Sequence, residues 1–291
     1  MLFALAVVAS VLGSVVYAFA RKALLSLTTA IACIAVFLVL FIASREGSPD
    51  ILQVVLFNFP GLAVSPPWTF VTTMYVHLDL RHLLFNLLGF ILLTPLFEER
   101  VGTARFAILY FVTGALASLG FFLVHLNDEF FVYGASGALS GVFGAFARLY
   151  PRERVSLWLV FLPIPALPVL VLAVGYVGVS ALLGAAGFLG GIAWEAHVIG
   201  LLAGFLLAKP VQALNLPGRS PAVLDLSGLE PLATTPELRG ILESMRRETI
   251  PDVRDAWLER FAARAPCPAC HQPLSRSRRV LRSPCGWRLR L

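Results

Sequence analysis

The chain has 291 residues, of which 58% are hydrophobic and only 14% are charged. A soluble domain has about 45–50% apolar and about 25% charged residues, and a soluble fold of this size cannot hide so much apolar surface. The composition therefore excludes a disordered chain and a disulfide scaffold, and all but excludes a soluble globular domain. It predicts a protein whose main solvent is lipid.

The charges divide the chain into two parts. Residues 1–210 carry ten Lys/Arg and nine Asp/Glu, whereas residues 211–291 carry thirteen Arg and eight Asp/Glu. Most of the net charge of +6 thus lies in the last 81 residues. We expect a membrane domain followed by a basic tail that contacts anionic membrane lipid, and we expect no nucleic-acid partner.

Seven apolar runs predict membrane helices, since a regular span needs about 20 mostly apolar residues. They lie at residues 2–20, 23–43, 82–97, 104–124, 135–150, 166–183 and 192–208. The first run could alternatively be a secretory signal peptide, because Ala18-Phe19-Ala20 resembles a cleavage site. No basic residue precedes this run, which favours a retained helix.

The segments between these runs differ in character. Residues 44–80 mix charges, prolines and apolar patches, which predicts a loop in the membrane interface. Residues 184–191 are glycine-rich and predict a mobile loop. The run at 166–183 lacks acidic and basic side chains, so it could tilt without breaking a salt bridge. Its start is predicted to be irregular because of three prolines: Pro163, Pro165 and Pro168.

The positions of Lys and Arg predict the orientation in the membrane, because cytoplasmic loops carry an excess of both. Alternate junctions between the runs hold Arg21, Lys22, Arg100, Arg105, Arg148, Arg152, Arg154 and Lys209. The opposite junctions hold only Arg45 and Arg81. This distribution places the N-terminus outside and the tail in the cytoplasm.

Three polar clusters lie near the predicted outer ends of different runs, and the first is Gly134-Ala135-Ser136-Gly137. Glycine neighbours allow a nucleophilic serine to turn tightly and let a substrate approach. A helix that starts here would also offer free backbone N–H groups to an oxyanion. The alternative is a packing face of small residues.

The second cluster contains His197, Gly200 and Gly204, which share one helix face. A histidine beside such a glycine stripe indicates a closely packed neighbour, and the glycine-rich helix that begins at Ser136 is the natural one. That packing would bring the imidazole within reach of the Ser136 hydroxyl. The alternative is a histidine satisfied by a backbone carbonyl.

The third cluster is the pair His82 and Asn86, which lie four residues apart on one helix face. Both side chains can donate a hydrogen bond to a developing oxyanion. The alternative is hydrogen bonding between helices, worth about 0.6 kcal/mol per bond in membranes.

Taken in order, the three clusters resemble the rhomboid family of intramembrane serine proteases. The matching motifs are GASG at 134–137, AHVIGLLAG at 196–204 and HLLFN at 82–86, and the resemblance covers about residues 24–208. It implies an all-α polytopic membrane protein with a six-helix bundle, to which this chain adds one N-terminal transmembrane helix.

The resemblance also implies roles for individual residues. Ser136 would be the nucleophile and His197 the general base and acid, without an acidic third member and without a cofactor. His82, Asn86 and the backbone N–H of Ser136 would form the oxyanion hole. The motif glycines are Gly134, Gly137, Gly200 and Gly204.

The implied substrates are transmembrane proteins, which we expect to be single-pass and cut near the outer membrane boundary. The composition of the 166–183 run separately predicts that this helix tilts away and opens a lateral path from lipid. The alternative function is a non-proteolytic rhomboid-like protein that binds membrane clients. Family members often carry an aromatic residue four positions after the serine, stacked on the histidine. This chain has Ser140 there, so we expect another group to orient His197.

The tail contains Cys267-Pro268-Ala269-Cys270, which resembles a zinc knuckle. A full zinc ribbon needs a second cysteine pair, but only Cys285 is present, and His271 could supply the fourth ligand. Cys-x-x-Cys-His also occurs in c-type haem attachment, although a cytoplasmic tail argues against haem. We expect a degenerate zinc ribbon, with or without bound zinc.

These observations predict four segments. Residues 1–22 would form the extra transmembrane helix, and residues 23–209 the rhomboid-like membrane domain. Residues 210–265 would form a linker with amphipathic helices, which either pack on themselves or dock to a partner or the inner leaflet. Residues 266–291 would form the basic ribbon-like tail.

Overall fold

The computed structural model describes residues 2–47, 57–58, 68–125, 131–159, 162–186, 193–216, 226–248, 251–277 and 280–291. The chain forms two compact units, Met1–Gly218 and Arg219–Leu291. About half of the predicted loop at 44–80 and most of the predicted loop at 184–191 lie outside the described residues. Gly184 itself belongs to a helix, where it packs against the indole of Trp194.

The first unit is mainly helical. Its helices are α1 (Leu2–Arg21), α2 (Leu25–Arg45), α3 (Thr69–Thr72), α4 (Leu80–Leu92), α5 (Thr94–Val101), α6 (Thr103–Val124), α7 (Ser136–Leu149), α8 (Val169–Ala185) and α9 (Trp194–Gln212). Two antiparallel strand pairs join them: β1 (Phe57–Asn58) with β2 (Phe131–Val132), and β3 (Arg154–Leu159) with β4 (Leu162–Pro168).

The described helices confirm the predicted fold class, an all-α polytopic membrane protein. Helices α1, α2, α6 and α9 are long and apolar enough to cross a membrane, and α4 with α5 makes a fifth, bent span. Helix α8 is apolar but shorter, and α7 has 14 residues. The chain is therefore a multi-pass membrane protein.

The predicted continuous span at 82–97 is broken by a bend of 41° between α4 and α5. Pro95 lies in the first turn of α5, and proline has no N–H to donate to the preceding turn. The Thr94 hydroxyl, at the bend, donates to the carbonyl of Phe90 at 2.9 Å. A proline inside an apolar run therefore ends one helix and starts another.

The three prolines before α8 lie in a strand rather than in an irregular helix start. Strand β4 pairs with β3 in a two-stranded antiparallel hairpin, and α8 begins only at Val169. Each strand of such a hairpin has an unpaired edge, so the missing N–H groups of proline are tolerated there.

Glu98 connects two helices of the bundle. Its side chain is fully buried, and its two carboxylate oxygens accept hydrogen bonds from the backbone N–H groups of Leu25, at 2.7 Å, and Ser26, at 2.8 Å. These N–H groups begin α2 and have no partner within that helix. The carboxylate thus satisfies the start of α2 and fixes it against α5.

Helices α7 and α9 touch through their backbones. A Cβ on Gly200 would overlap the carbonyl oxygen of Gly137, and a Cβ on Gly204 would overlap the carbonyl oxygen of Gly141. A Cβ on Gly144 would likewise overlap the carbonyl oxygen of Leu201. Only glycine permits this approach, as expected where membrane helices associate by close packing.

The second unit contains α10 (Pro236–Arg247), α11 (Pro251–Arg264) and a three-stranded antiparallel sheet. The strands are β5 (Ser275–Ser277), β6 (Val280–Arg282) and β7 (Arg288–Arg290), in that order. The helices and the sheet share one core, to which Leu238, Leu242, Phe261 and Leu281 contribute. The amphipathic helices therefore bury their apolar faces within this unit.

We expect Gly204→Ala to lower the free energy of unfolding by about 1–3 kcal/mol, as overpacking does in other cores. Gly175→Ala is the matched control, because a Cβ on Gly175 meets no atom within 4 Å. Alanine is the better helix former there, so stability should rise by up to about 1 kcal/mol. Denaturation in detergent, followed by circular dichroism, measures both changes. Equal stability of the two variants would contradict the backbone contact.

Candidate active site

Ser136 is the first residue of α7, and the turn before it is held in place by contacts of Gly134 and Thr73. Gly134 in this turn has φ +107°, and a Cβ there would collide with the His82 ring. Its N–H donates to the carbonyl of Thr73 at 2.9 Å, while the Thr73 hydroxyl donates to the carbonyl of Val132. The N–H groups in the first turn of α7 have no partner within the helix, so they can face an oxyanion.

His197 lies in the first turn of α9 and is 6% exposed. Its Nε2 is 2.8 Å from Ser136 Oγ, a hydrogen-bond distance. The structure thus brings together the predicted nucleophile and base, which are 61 residues apart in the chain. The glycine contacts between α7 and α9 start at Gly137 and Gly200, within one turn of these side chains.

The other ring nitrogen of His197 has a partner that the sequence analysis missed. His197 Nδ1 is 3.2 Å from Ser180 Oγ on α8. One turn earlier on α8, the ring of Tyr176 stacks on the imidazole, with centroids 6.0 Å apart and an angle of 27° between the planes. Tyr176 also contacts Phe143 of α7 edge-on, at 5.6 Å. Tyr176 and Ser180 lie four residues apart on one face of an apolar run, and this spacing could have predicted that both contact the same side chain.

Ser140 has no comparable environment. It is fully buried, and its hydroxyl donates to the carbonyl of Ser136 at 2.8 Å. Glu195 does not orient the imidazole either, because its carboxylate lies 3.4 Å from His125 Nε2.

His82 lies at the start of α4, where the carboxylate of Asp79 accepts hydrogen bonds from the N–H groups of Arg81, at 2.9 Å, and His82, at 3.3 Å. The His82 ring covers Gly134 and therefore lies beside the turn that carries Ser136. Asn86, one turn further along α4, is 4% exposed and donates through Nδ2 to the carbonyl of His82 at 2.9 Å. Its amide retains a second N–H for another acceptor.

The tail gathers the sulfurs of Cys267, Cys270 and Cys285 within 4.8 Å of one another. Although burial raises the pKa of Cys267, hydrogen bonds from Ser283 and from backbone N–H groups lower it from 9.0 to about 6. Among the His, Cys, Asp and Glu residues that the structure describes, no fourth member joins this group. His271 is exposed and outside it, with a backbone φ of +57°.

Comparison with known proteins identifies relatives of the membrane unit. The family model described as a Rhomboid domain matches residues 65–213. YdcA of Bacillus subtilis (strain 168), provisionally named a rhomboid protease, is 34% identical over 97 residues, which are 33% of this chain and 48% of YdcA. The rhomboid protease GlpG of Yersinia pestis (strain Pestoides F) is 27% identical over 186 residues, which are 63% of this chain and 61% of GlpG. The chain thus spans about half of the first relative and less than two thirds of the second.

The site geometry predicts which serine reacts with a fluorophosphonate. Ser136 has a hydrogen-bonded base and should be labelled, whereas the Ser140 hydroxyl is buried and bonded to its own helix. Peptide mapping of the labelled protein identifies the residue. Ser136→Ala should abolish labelling and Ser140→Ala should leave it unchanged; a label on Ser140 would show that the wrong serine is assigned.

Proposed function

This chain belongs to the rhomboid family, and we propose that it is an intramembrane serine protease with a Ser136–His197 dyad. The observation that supports this function best is the 2.8 Å hydrogen bond between Ser136 Oγ and His197 Nε2. A partly buried serine–imidazole pair at the start of two membrane helices is suited to nucleophilic catalysis.

The proposed reaction begins when His197 Nε2 takes the proton of the Ser136 hydroxyl. The oxygen then attacks the substrate carbonyl, and the negative charge moves to the carbonyl oxygen. The imidazolium gives its proton to the leaving amine as the C–N bond breaks. Water repeats the sequence on the acyl-enzyme and regenerates Ser136. The two side chains carry every proton, so we propose catalysis without a cofactor.

We propose that the oxyanion is held by three donors: His82, Asn86 and the backbone N–H of Ser136. His82 lies beside the Ser136 turn, and the start of α7 provides unpaired N–H groups. Such donors stabilise charge that develops only in the transition state. They should therefore affect turnover more than substrate affinity.

We propose single-pass transmembrane proteins as substrates, cut near the outer boundary of the membrane. The dyad lies at the first residues of α7 and α9, near one end of the bundle. The distribution of Lys and Arg assigns this end to the extracytoplasmic side and the tail to the cytoplasm. A peptide bond in a regular helix is shielded, so glycine or proline near the cleavage site should favour local unwinding.

The test is cleavage of a single-pass substrate in liposomes by the full chain. Ser136→Ala should abolish cleavage, while Asn86→Ala should lower kcat about 10²–10³-fold with little change in KM, as loss of one oxyanion donor does elsewhere. Ser140→Ala is the matched control and should retain activity.

Substrate binding without cleavage by the wild-type chain would support the non-proteolytic client-binding alternative instead. Normal turnover of Asn86→Ala would remove that residue from the oxyanion hole. A protein that cleaves equally well with Ser136→Ala would refute the dyad.

We also propose that residues 1–22 are an extra helix on a protease domain at 23–209, with the linker helices (210–265) and the ribbon (266–291) as accessory parts.

The ribbon offers a zinc site of three thiolates. The Sγ atoms of Cys267 and Cys285 are 3.7 Å apart, close to the about 3.8 Å expected between two sulfurs on tetrahedral zinc. Zinc would take the three sulfurs and one further ligand.

Zinc binding by the tail is tested on the full chain, purified without chelator and titrated with Zn²⁺. We expect one zinc ion per chain, reduced strongly by Cys267→Ser, because the site would lose one of its three thiolate ligands. Cys33→Ser is the control, since Cys33 lies buried in α2. Equal zinc content in the two variants would contradict the site.

A further inference from the structure

The hydrogen bonds around His197 have one consistent direction. The Ser180 hydroxyl donates to the carbonyl of Val177 on its own helix at 2.9 Å. Its proton is therefore committed, and its oxygen can only accept from His197 Nδ1, at 3.2 Å. Nδ1 then carries the ring proton, and Nε2 keeps its lone pair for the proton of Ser136.

From this we infer that Ser180 is the positioning residue of the dyad, fixing the ring orientation and the tautomer of His197. The inference rests on the proposed function, because it assigns Ser180 a role in the same reaction. Ser180 touches neither the substrate nor the reacting atoms; it acts through His197. In serine proteases with a triad, an acidic residue holds the same nitrogen, whereas here a neutral hydroxyl does so.

Tyr176 completes the support of the ring. It lies four residues before Ser180 on α8 and stacks on the imidazole, and it makes an edge-to-face contact with Phe143 on α7. Rotation of the imidazole would therefore need both the Ser180 hydrogen bond and the Tyr176 stack to break. Ser140 does not take part in this support, because its fully buried hydroxyl donates to the carbonyl of Ser136 on its own helix.

Helix α8 thus supplies both groups that hold the base. The same helix was predicted to tilt and admit a substrate. A displaced α8 would carry Ser180 and Tyr176 away from His197, and the ring would lose its orientation. The dyad is set for proton transfer only while α8 is packed against α7 and α9.

The first test compares Ser180→Ala with Ser180→Thr in the full chain. Loss of the acceptor should lower kcat about 10–100-fold with KM nearly unchanged, the range expected when a buried donor loses its partner. Threonine can also donate to the carbonyl three residues earlier, so Ser180→Thr should retain kcat within about threefold. Ser10→Ala is the matched control, because the Ser10 hydroxyl likewise donates to its own helix, at 2.8 Å from the Ala6 carbonyl oxygen.

The second test reads the tautomer directly and does not need activity. ¹⁵N NMR of histidine-labelled protein should show His197, identified by its absence in His197→Gln, as the Nδ1-protonated form. In Ser180→Ala the Nε2-protonated form should appear, while Ser180→Thr should keep the wild-type spectrum. If the melting curve shows that Ser180→Ala does not fold, Ser180→Val takes its place, because valine has the shape of threonine but no hydroxyl oxygen to accept from His197 Nδ1.

The outcomes separate this inference from the proposed function. A wild-type tautomer and wild-type kcat in Ser180→Ala would overturn the positioning role even if the chain is a protease. In a second case, His197 is Nδ1-protonated in the wild-type chain and changes tautomer in Ser180→Ala, but the wild-type chain cleaves no substrate. This result would uphold the positioning role and refute the protease.

Discussion

The contact between the backbones of α7 and α9 is the constraint on which the site depends. Membrane helices gain little from hydrophobic association, because lipid is as apolar as their side chains. Here the drive comes from close packing at Gly141 against Gly204 and at Gly137 against Gly200. Ser136 and His197 lie within one turn of these contacts, and their 2.8 Å hydrogen bond follows from the helix separation. A side chain larger than hydrogen on Gly200 or Gly204 would separate the two helices and with them the dyad.

Helix α8 is constrained differently, and this bears on how a substrate reaches the dyad. Its exposed residues include Gly175 and Gly178, where an added Cβ would meet no atom within 4 Å. Small residues without close neighbours leave a helix free to move, yet the opposite face of α8 holds His197 through Ser180. Lateral opening along α8 would therefore admit a substrate and release the base in one motion. Hydrolysis would then require α8 to return, which keeps the dyad inactive while the path from lipid is open.

The sequence predicts the helices and the dyad because both have local patterns. Apolar runs give the spans, and GASG and AHVIGLLAG place a serine and a histidine beside glycines. Ser180 has no such pattern: a serine in an apolar helix commonly bonds its own backbone, as Ser180 does to Val177. Which face of α8 meets His197 is decided by three helices together. Hydropathy did not predict the break at Pro95 or the strand at 162–168. A hydropathy average takes no account of the missing N–H of proline, which ends a helix.

The tail shows that spacing along the chain also does not decide which side chains meet in a metal site. Its cysteine spacing indicates a metal site, and spacing alone makes His271, which directly follows Cys270, a candidate for the fourth ligand. The backbone at His271 has a φ of +57°, and its N–H donates to the carbonyl of Cys267 at 2.9 Å, which closes the knuckle. The side chain lies outside the sulfur cluster, while the Ser283 hydroxyl lies 3.0 Å from Cys270 Sγ. A knuckle closed in this way holds its two thiols together with or without zinc, since backbone hydrogen bonds and the shared core shape it.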